Sequence, residues 1–208
     1  MDNPPKAPDI AQVLKHNRTL LYRHIATRIA LAVILFAVPI VARLAGWDAA
    51  LPAFCAPAAL LVLIFLVLRL RHGARLKVCE KVLHAYPLEY RTRVSKKDTE
   101  WKYLGDVHTV RLSVRGQHGA PSLRAINAST VRRWPKEAEE GGAWFAGDLA
   151  FGGVMIVPES NDMLFVQPAD WRKYEQERAQ ADLQRKALAE QAGISRLLEK
   201  EPRILVQG

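Results

Sequence analysis

The chain has 208 residues, half of them hydrophobic, with 30 basic and 21 acidic side chains and a net charge of +9. That length holds one or two domains. Its two cysteines, Cys55 and Cys79, have no CxxC spacing, which excludes a disulfide framework and a cysteine-based zinc site.

Residues 1–28 form a basic amphipathic N-terminal segment. Pro4, Pro5 and Pro8 keep its start irregular, and Asp9 is placed to cap a helix. Ile10, Val13, Leu14, Asn17, Leu20, Leu21 and Ile25 then recur at helical spacing, with Lys15, Arg18 and Arg23 at other positions. The pattern predicts a helix lying on the inner leaflet, or a solvated extension of the membrane helix that follows.

Residues 29–68 are predicted to be a transmembrane hairpin with spans at about 29–47 and 49–68. The second span, AALPAFCAPAALLVLIFLVL, carries no charge, and at about 1.5 Å per residue its length matches a hydrocarbon core of about 30 Å. In the first, IALAVILFAVPIVARLAGW, Arg43 lies near one end, where its stem stays in lipid while the guanidinium reaches the headgroups. Trp47 then falls at interface depth. A cleaved signal peptide is disfavoured, because its basic leader would be long and a second span follows at once.

Residues 69–86 read as a basic helical stalk, with Gly73 as a point for a bend and Pro87 as the stop. From residue 87 to 168 the pattern changes to short strands and turns. In VHTVRLSVR, the residues Val107, Thr109, Arg111, Ser113 and Arg115 share one face, and His108, Val110, Leu112 and Val114 the other. LEYRTRV, WKYL, SLRAI, AWFAG, FGGVMIVP and MLFVQP are the other apolar runs. The expected fold is a membrane α plus β chain: a two-helix hairpin, then a small antiparallel β-barrel or roll of about six strands, then a C-terminal helix. Residues 82–172 are expected to fold when cut from the spans. Residues 169–208 form a charged helix and tail, in which Asp170 caps WRKYEQERAQADLQRKALAEQ and Gly193 ends it.

The charge is not spread evenly. Residues 1–28 carry a net +3 and residues 69–81 a net +4, while Arg43 alone is basic near the connecting turn. Positive residues stay cytoplasmic, so both termini are predicted inside a bacterial plasma membrane. Lys15, Arg18, Arg23, Arg28, Arg69, Arg71, Arg75 and Lys77 are the membrane-flanking basic residues, expected to favour anionic headgroups of the lipid bilayer. The folded part is near neutral, which argues against a nucleic-acid partner.

No HExxH, GxSxG, Walker A or GxGxxG pattern occurs, and the six histidines are not paired at metal-ligand spacing. No catalytic, cofactor or metal residue is therefore expected, and His108 reads as a core or edge histidine. WFAGDLAFGG, residues 144–153, reads as a tight turn between strands. Gly147 supplies positive φ, Asp148 a local turn hydrogen bond, and Gly152 with Gly153 a bulge or close backbone approach. Trp144, Phe145 and Trp171 form a candidate interaction surface.

Two N-terminal spans, AYPLEYR, and RRWP…WFAGDLAFGG…MLFVQPADW together resemble a recurrent group of small actinobacterial two-transmembrane proteins with a cytoplasmic β-rich domain. The resemblance implies architecture and host, and no catalytic residue. The expected role is a non-catalytic interaction or scaffold module, or an accessory subunit. Its partner would be an unidentified membrane or cytoplasmic protein, or a second copy in a homo-oligomer. A lipid- or small-ligand-sensing domain of pleckstrin-like shape is the alternative, and an enzyme with an unrecognised site the more distant one.

Overall fold

A computed structural model of the protein describes residues 4–46, 54–69, 71–102, 105–113, 121–129 and 134–196. Helix α1 spans Ile10–Leu44, α2 Cys55–Arg69 and α3 Arg71–Ala85. As expected, Asp9 caps α1, its carboxylate accepting from the Ala11 amide at 2.9 Å. Of the two alternatives for residues 10–28, the helical extension is the one found, with its apolar side covered rather than solvated. The amphipathic segment and the first apolar stretch are a single unbroken helix of 35 residues. This helix is long and apolar enough to cross a membrane, with a mean hydropathy of 2.4 over its best 18-residue window. The described part of α2 is shorter, and Trp47 and the start of the expected second span lie outside the described residues.

The upper part of α1 packs against α2 through small side chains. Ala32 and Ala42 of α1 and Ala59 of α2 are buried, whereas Ile34, Ile40, Val41, Leu60, Leu61 and Phe65 are each more than half exposed. Small residues let helix backbones approach closely, which is how helices associate where large apolar side chains gain nothing by leaving their surroundings. A water-soluble helix pair shows the reverse pattern, with large apolar residues inside.

The β-region has seven strands where about six were expected. They are β1 (Glu89–Arg91), β2 (Arg93–Lys102), β3 (Gly105–Ser113), β4 (Ser122–Asn127), β5 (Ala143–Asp148), β6 (Gly152–Ile156) and β7 (Met163–Pro168). LEYRTRV, one run in the sequence, is cut at Thr92 into β1 and the start of β2, and β2 then absorbs Trp101 and Lys102 of WKYL. All pairings are antiparallel, in the order β1-β5-β6-β7-β4-β3-β2. Two three-stranded meanders, β2-β3-β4 and β5-β6-β7, are joined side by side where β4 pairs with β7.

That order has a geometric consequence. β1 and β2 are the two opposite edges of the sheet, yet only Thr92 separates them in the chain. Residues i and i+2 of an extended chain are about 7 Å apart. The sheet must therefore curl until its edges meet at that corner, and it forms a half-barrel.

Each face of the curled sheet has its own core, following the two-residue alternation of strands. Inside the curl, Val94, Val110, Leu112, Leu123, Ala125, Phe145, Met155, Leu164 and Val166 pack together, with Ala138 of the short helix α4 (Glu137–Gly141) and Trp134 against them. Outside it, Ala146, Val154, Ile156, Met163 and Phe165 meet Val13, Leu14 and Leu21 of α1 and Leu76, Cys79, Val82 and Leu83 of α3. The first half of α1 thus completes the outer core. Its apolar side is covered by protein, not by lipid as the leaflet-lying expectation had it. Residues 82–172 consequently lack one wall of that core, which removes the basis for expecting them to fold alone.

The single C-terminal helix expected from Asp170 is instead three pieces: a 3-10 turn (Arg172–Tyr174), α5 (Glu175–Gln180) and α6 (Leu183–Ala192). Ala181 turns extended and buried, and Asp182 then starts α6 by accepting from the Arg185 amide at 2.7 Å. The end falls as expected, with Gly193 in the left-handed conformation at φ 76°. Ala189, Ala192 and Ile194 join the outer core. The tail containing Ile204–Val206 lies outside the described residues.

Candidate functional site

The membrane-flanking basic residues divide by position. Arg28 immediately precedes Ile29, where the apolar stretch of α1 begins, and Arg23 is about 8 Å further down the helix axis. Arg18 and Lys15 sit about 17 and 21 Å below Ile29, beyond the screening distance of about 8 Å in physiological salt. Arg18 is instead paired with Glu80 of α3 at 2.6 Å. Arg75 needs a correction. It shares the buried stripe of α3 with Leu76, Cys79, Val82 and Leu83, and only 6 % of it is exposed. Its helix phase turns it into the protein, so it is not a surface cation facing headgroups. Lys77, on the opposite side of α3, is exposed. Arg69 ends α2 and Arg71 begins α3, while their side chains lie outside the described residues.

The joint between α1 and the sheet is polar at its centre. Asn17 is fully buried on the apolar stripe of α1, and its amide Nδ2 donates to the Val13 carbonyl and to the Asn161 carbonyl, both at 2.9 Å. Asn161 belongs to the β6–β7 turn and has φ 56°, one of the few non-glycine residues that tolerate it. Beside it, burial raises the pKa of the Asp162 carboxyl above the ordinary value, opposed in part by a hydrogen bond with Ser160. An asparagine inside an apolar stripe was the sequence signal that this face meets protein, because lipid offers an amide no partner.

WFAGDLAFGG forms the β5–β6 hairpin. Gly147 faces Gly153 and Asp148 faces Gly152 across the ladder, with Leu149, Ala150 and Phe151 as the loop. Gly147 has φ 139°, which glycine takes readily and other residues do not. The closeness is steric as well: a Cβ on Gly153 would lie 2.3 Å from the Ala146 carbonyl oxygen, and one on Gly147 would lie 2.4 Å from that of Gly152. Asp148 does more than the expected turn bond. Its Oδ1 accepts from the Ala150 amide at 2.9 Å, and its Oδ2 accepts from Arg185 Nε of α6 at 2.7 Å. That hydrogen bond is the main cause raising the Arg185 pKa. Tyr86, at the end of the stalk, is close enough to Asp148 for the charge to matter; burial first and Asp148 second push its phenol to about 12.

The three aromatic residues of the candidate interaction surface are engaged within the chain. Phe145 is 1 % exposed, inside the curled sheet, because its strand parity turns it inward. Trp144, on the opposite parity, packs against the outer core and contacts the Tyr90 ring at 5.3 Å. Trp171 carries the Arg178 guanidinium over its ring at 3.8 Å. Arg178 also donates to the Ala150 and Trp171 carbonyls, which ties the 3-10 turn and α5 to the hairpin loop. His108 is buried inside the curl, as read from its strand parity, with Nδ1 3.0 Å from Thr99 Oγ1 and its ring edge-on to Trp134.

Among the described residues no three His, Cys, Asp or Glu side chains come together in a way that could hold a metal ion. Cys79 lies fully buried in the outer core, where desolvation pushes its thiol up to about 12, far from a reactive thiolate. Compared with protein-family models, curated proteins and solved structures, the chain matches none of them.

Proposed function

We propose that this chain is an integral membrane protein in which residues 29–68 form a two-span hairpin, both termini are cytoplasmic, and the β-region serves as a non-catalytic interaction or scaffold module at the inner leaflet. The observation that carries it is the shared outer core. Val13, Leu14 and Leu21 precede the apolar helices, Leu76, Cys79 and Val82 follow them, and they pack on one another. If α1 crosses a bilayer, the chain must cross back before residue 76, which supports a second span through α2. The large apolar side chains exposed around α1 and α2 support lipid contact. The basic residues at both feet of the hairpin support the cytoplasmic side, with Arg23 and Arg28 within reach of anionic headgroups.

The continuity of α1 favours a scaffold over a loose tether. One helix runs from the core at Val13 to Leu44, so the β-region is held in a fixed pose below the bilayer. That arrangement suits an accessory subunit presenting a surface to a neighbouring membrane protein. Reporter fusions at residue 5 and at the C-terminus should both read cytoplasm, with outside labelling confined to residues 46–50. A C-terminal reporter active outside the cell would overturn the topology. Crosslinking in native membranes followed by mass spectrometry should return a specific membrane protein, and recovery of the chain by itself would count against the accessory role.

A further inference from the structure

The outer core is made by two stretches of chain that lie on either side of the hairpin. Residues 10–25 contribute Val13, Leu14 and Leu21, with Ile10 and Ile25 packed against them. Residues after 73 contribute α3, the sheet and α6. Two further contacts fasten the first stretch to the second: Asn17 to the Asn161 carbonyl at 2.9 Å, and Arg18 to Glu80 at 2.6 Å. None of these contacts uses residues 29–68. The hairpin is an insertion between two parts of one domain.

We propose that this domain closes only when the two ends of the hairpin lie on the same side of the membrane, so that correct insertion is a condition of folding. The inference rests on the membrane topology proposed above. A chain with a single crossing would leave residues 10–25 on one face and the β-region on the other. The apolar row Ala146, Val154, Ile156, Met163 and Phe165 would then lose the α1 wall, and with it the bond that holds the β6–β7 turn. Such a chain would present an exposed apolar face of the kind that quality-control proteases recognise. Insertion and domain folding are thereby linked without any contact between the domain and lipid.

Cys79 reports on closure in the intact protein. It is fully buried between α1, α3 and the sheet, and with Cys55→Ser it becomes the single thiol. The probe is a small maleimide on cells or membrane vesicles, with protease-accessible tags at both ends to read their sides. Leu61→Lys with Ile64→Lys puts two cations on the exposed face of α2. Each costs about 2.5–3.5 kcal/mol at the centre of a span, enough to block its insertion. Leu61→Ala with Ile64→Ala is the control. In the parent and the alanine pair, Cys79 should stay protected with both tags on one side. In the lysine pair, tags on opposite sides should go with labelling more than about tenfold faster, a loss of about 1.4 kcal/mol of protection. A lysine pair that leaves the membrane altogether keeps both ends together and should stay protected. Protection with the tags on opposite sides overturns the proposal, as does fast labelling with both tags on one side. Failure of the topology itself shows separately: the parent would be released from membranes by carbonate.

Discussion

Asp148 and Arg185 are 37 residues apart in sequence and 2.7 Å apart in the fold, the carboxylate of the β5–β6 hairpin clasping the first turn of α6. Asp148 is largely buried and Arg185 more than a third exposed, so the pair is partly screened and contributes about 0.5–1 kcal/mol. The other carboxylate oxygen holds the loop amide of Ala150.

Asp148→Asn keeps an acceptor for Ala150 and weakens the clasp, so thermal melts in detergent should show a loss of about 0.5–1 kcal/mol. Asp148→Ala loses both bonds and should cost about 1–2 kcal/mol. A double-mutant cycle with Arg185→Met should return most of the Asn effect as coupling. Zero coupling would mean the clasp contributes nothing in solution. An Asp148→Asn protein that is stable but fails to complement a deletion strain would instead favour carboxylate chemistry and overturn the scaffold reading.

The glycines of the same hairpin should differ sharply from Gly141. Gly153→Ala drives a Cβ into the Ala146 carbonyl and the Phe145 ring, and should cost about 1–3 kcal/mol or more. Gly147→Val adds an unfavourable φ to a similar clash, and should cost more than Gly153→Ala. Gly141→Ala meets nothing within 4 Å and should stay within about 0.5 kcal/mol. Equal melts for all three would mean that β5 and β6 do not approach this closely at the hairpin.

The domain should be separable from the hairpin only if its N-terminal stretch goes with it. Residues 82–172 alone should show no cooperative melt. A chain in which a short Gly/Ser linker joins Ile25 to Gly73 should be soluble and melt cooperatively, because Leu21 and Ile25 already pack in one core with Leu76 and Cys79. Circular dichroism and calorimetry of the two distinguish the cases. A cooperative melt for residues 82–172 would show the α1 wall to be dispensable.

Alkaline pH should weaken the fold through Cys79. Its thiol ionises near 9.0 in the unfolded chain and near 12 in the folded one. Above pH 9 the unfolded chain therefore sheds a proton that the folded one keeps. Stability from this group is complete below pH 9 and falls by about 1.4 kcal/mol per pH unit as pH climbs toward 12. Cys79→Ala should lower the melt at pH 8 by removing a buried side chain, yet flatten its decline between pH 9 and 11 relative to the parent. Parallel declines would show that Cys79 is solvated in the folded protein.

What the sequence determined was whatever depends on near neighbours in the chain. Asp9 starts α1 because a carboxylate caps free amides, and Pro87 lets α3 run no further than Ala85 because proline restricts the residue before it. Strand parity in VHTVRLSVR separated His108, Val110 and Leu112 from Val107, Thr109 and Arg111, and glycine spacing located the β5–β6 hairpin. Only the tertiary structure decided what those faces meet. Asn17 marks the stripe of α1 as one that needs a polar partner, but nothing local could say that the partner would be the Asn161 carbonyl, 144 residues away. Thr92 belongs to one continuous β pattern until the pairing order sends its two neighbours to opposite sheet edges. Asp148 carries every mark of a local turn residue, and its bond to Arg185 appears once Ala181 breaks the last helix and swings α6 back. Local propensity fixes where elements begin and end, while burial between distant segments chooses their partners, because that free energy exists only after the chain has brought them together.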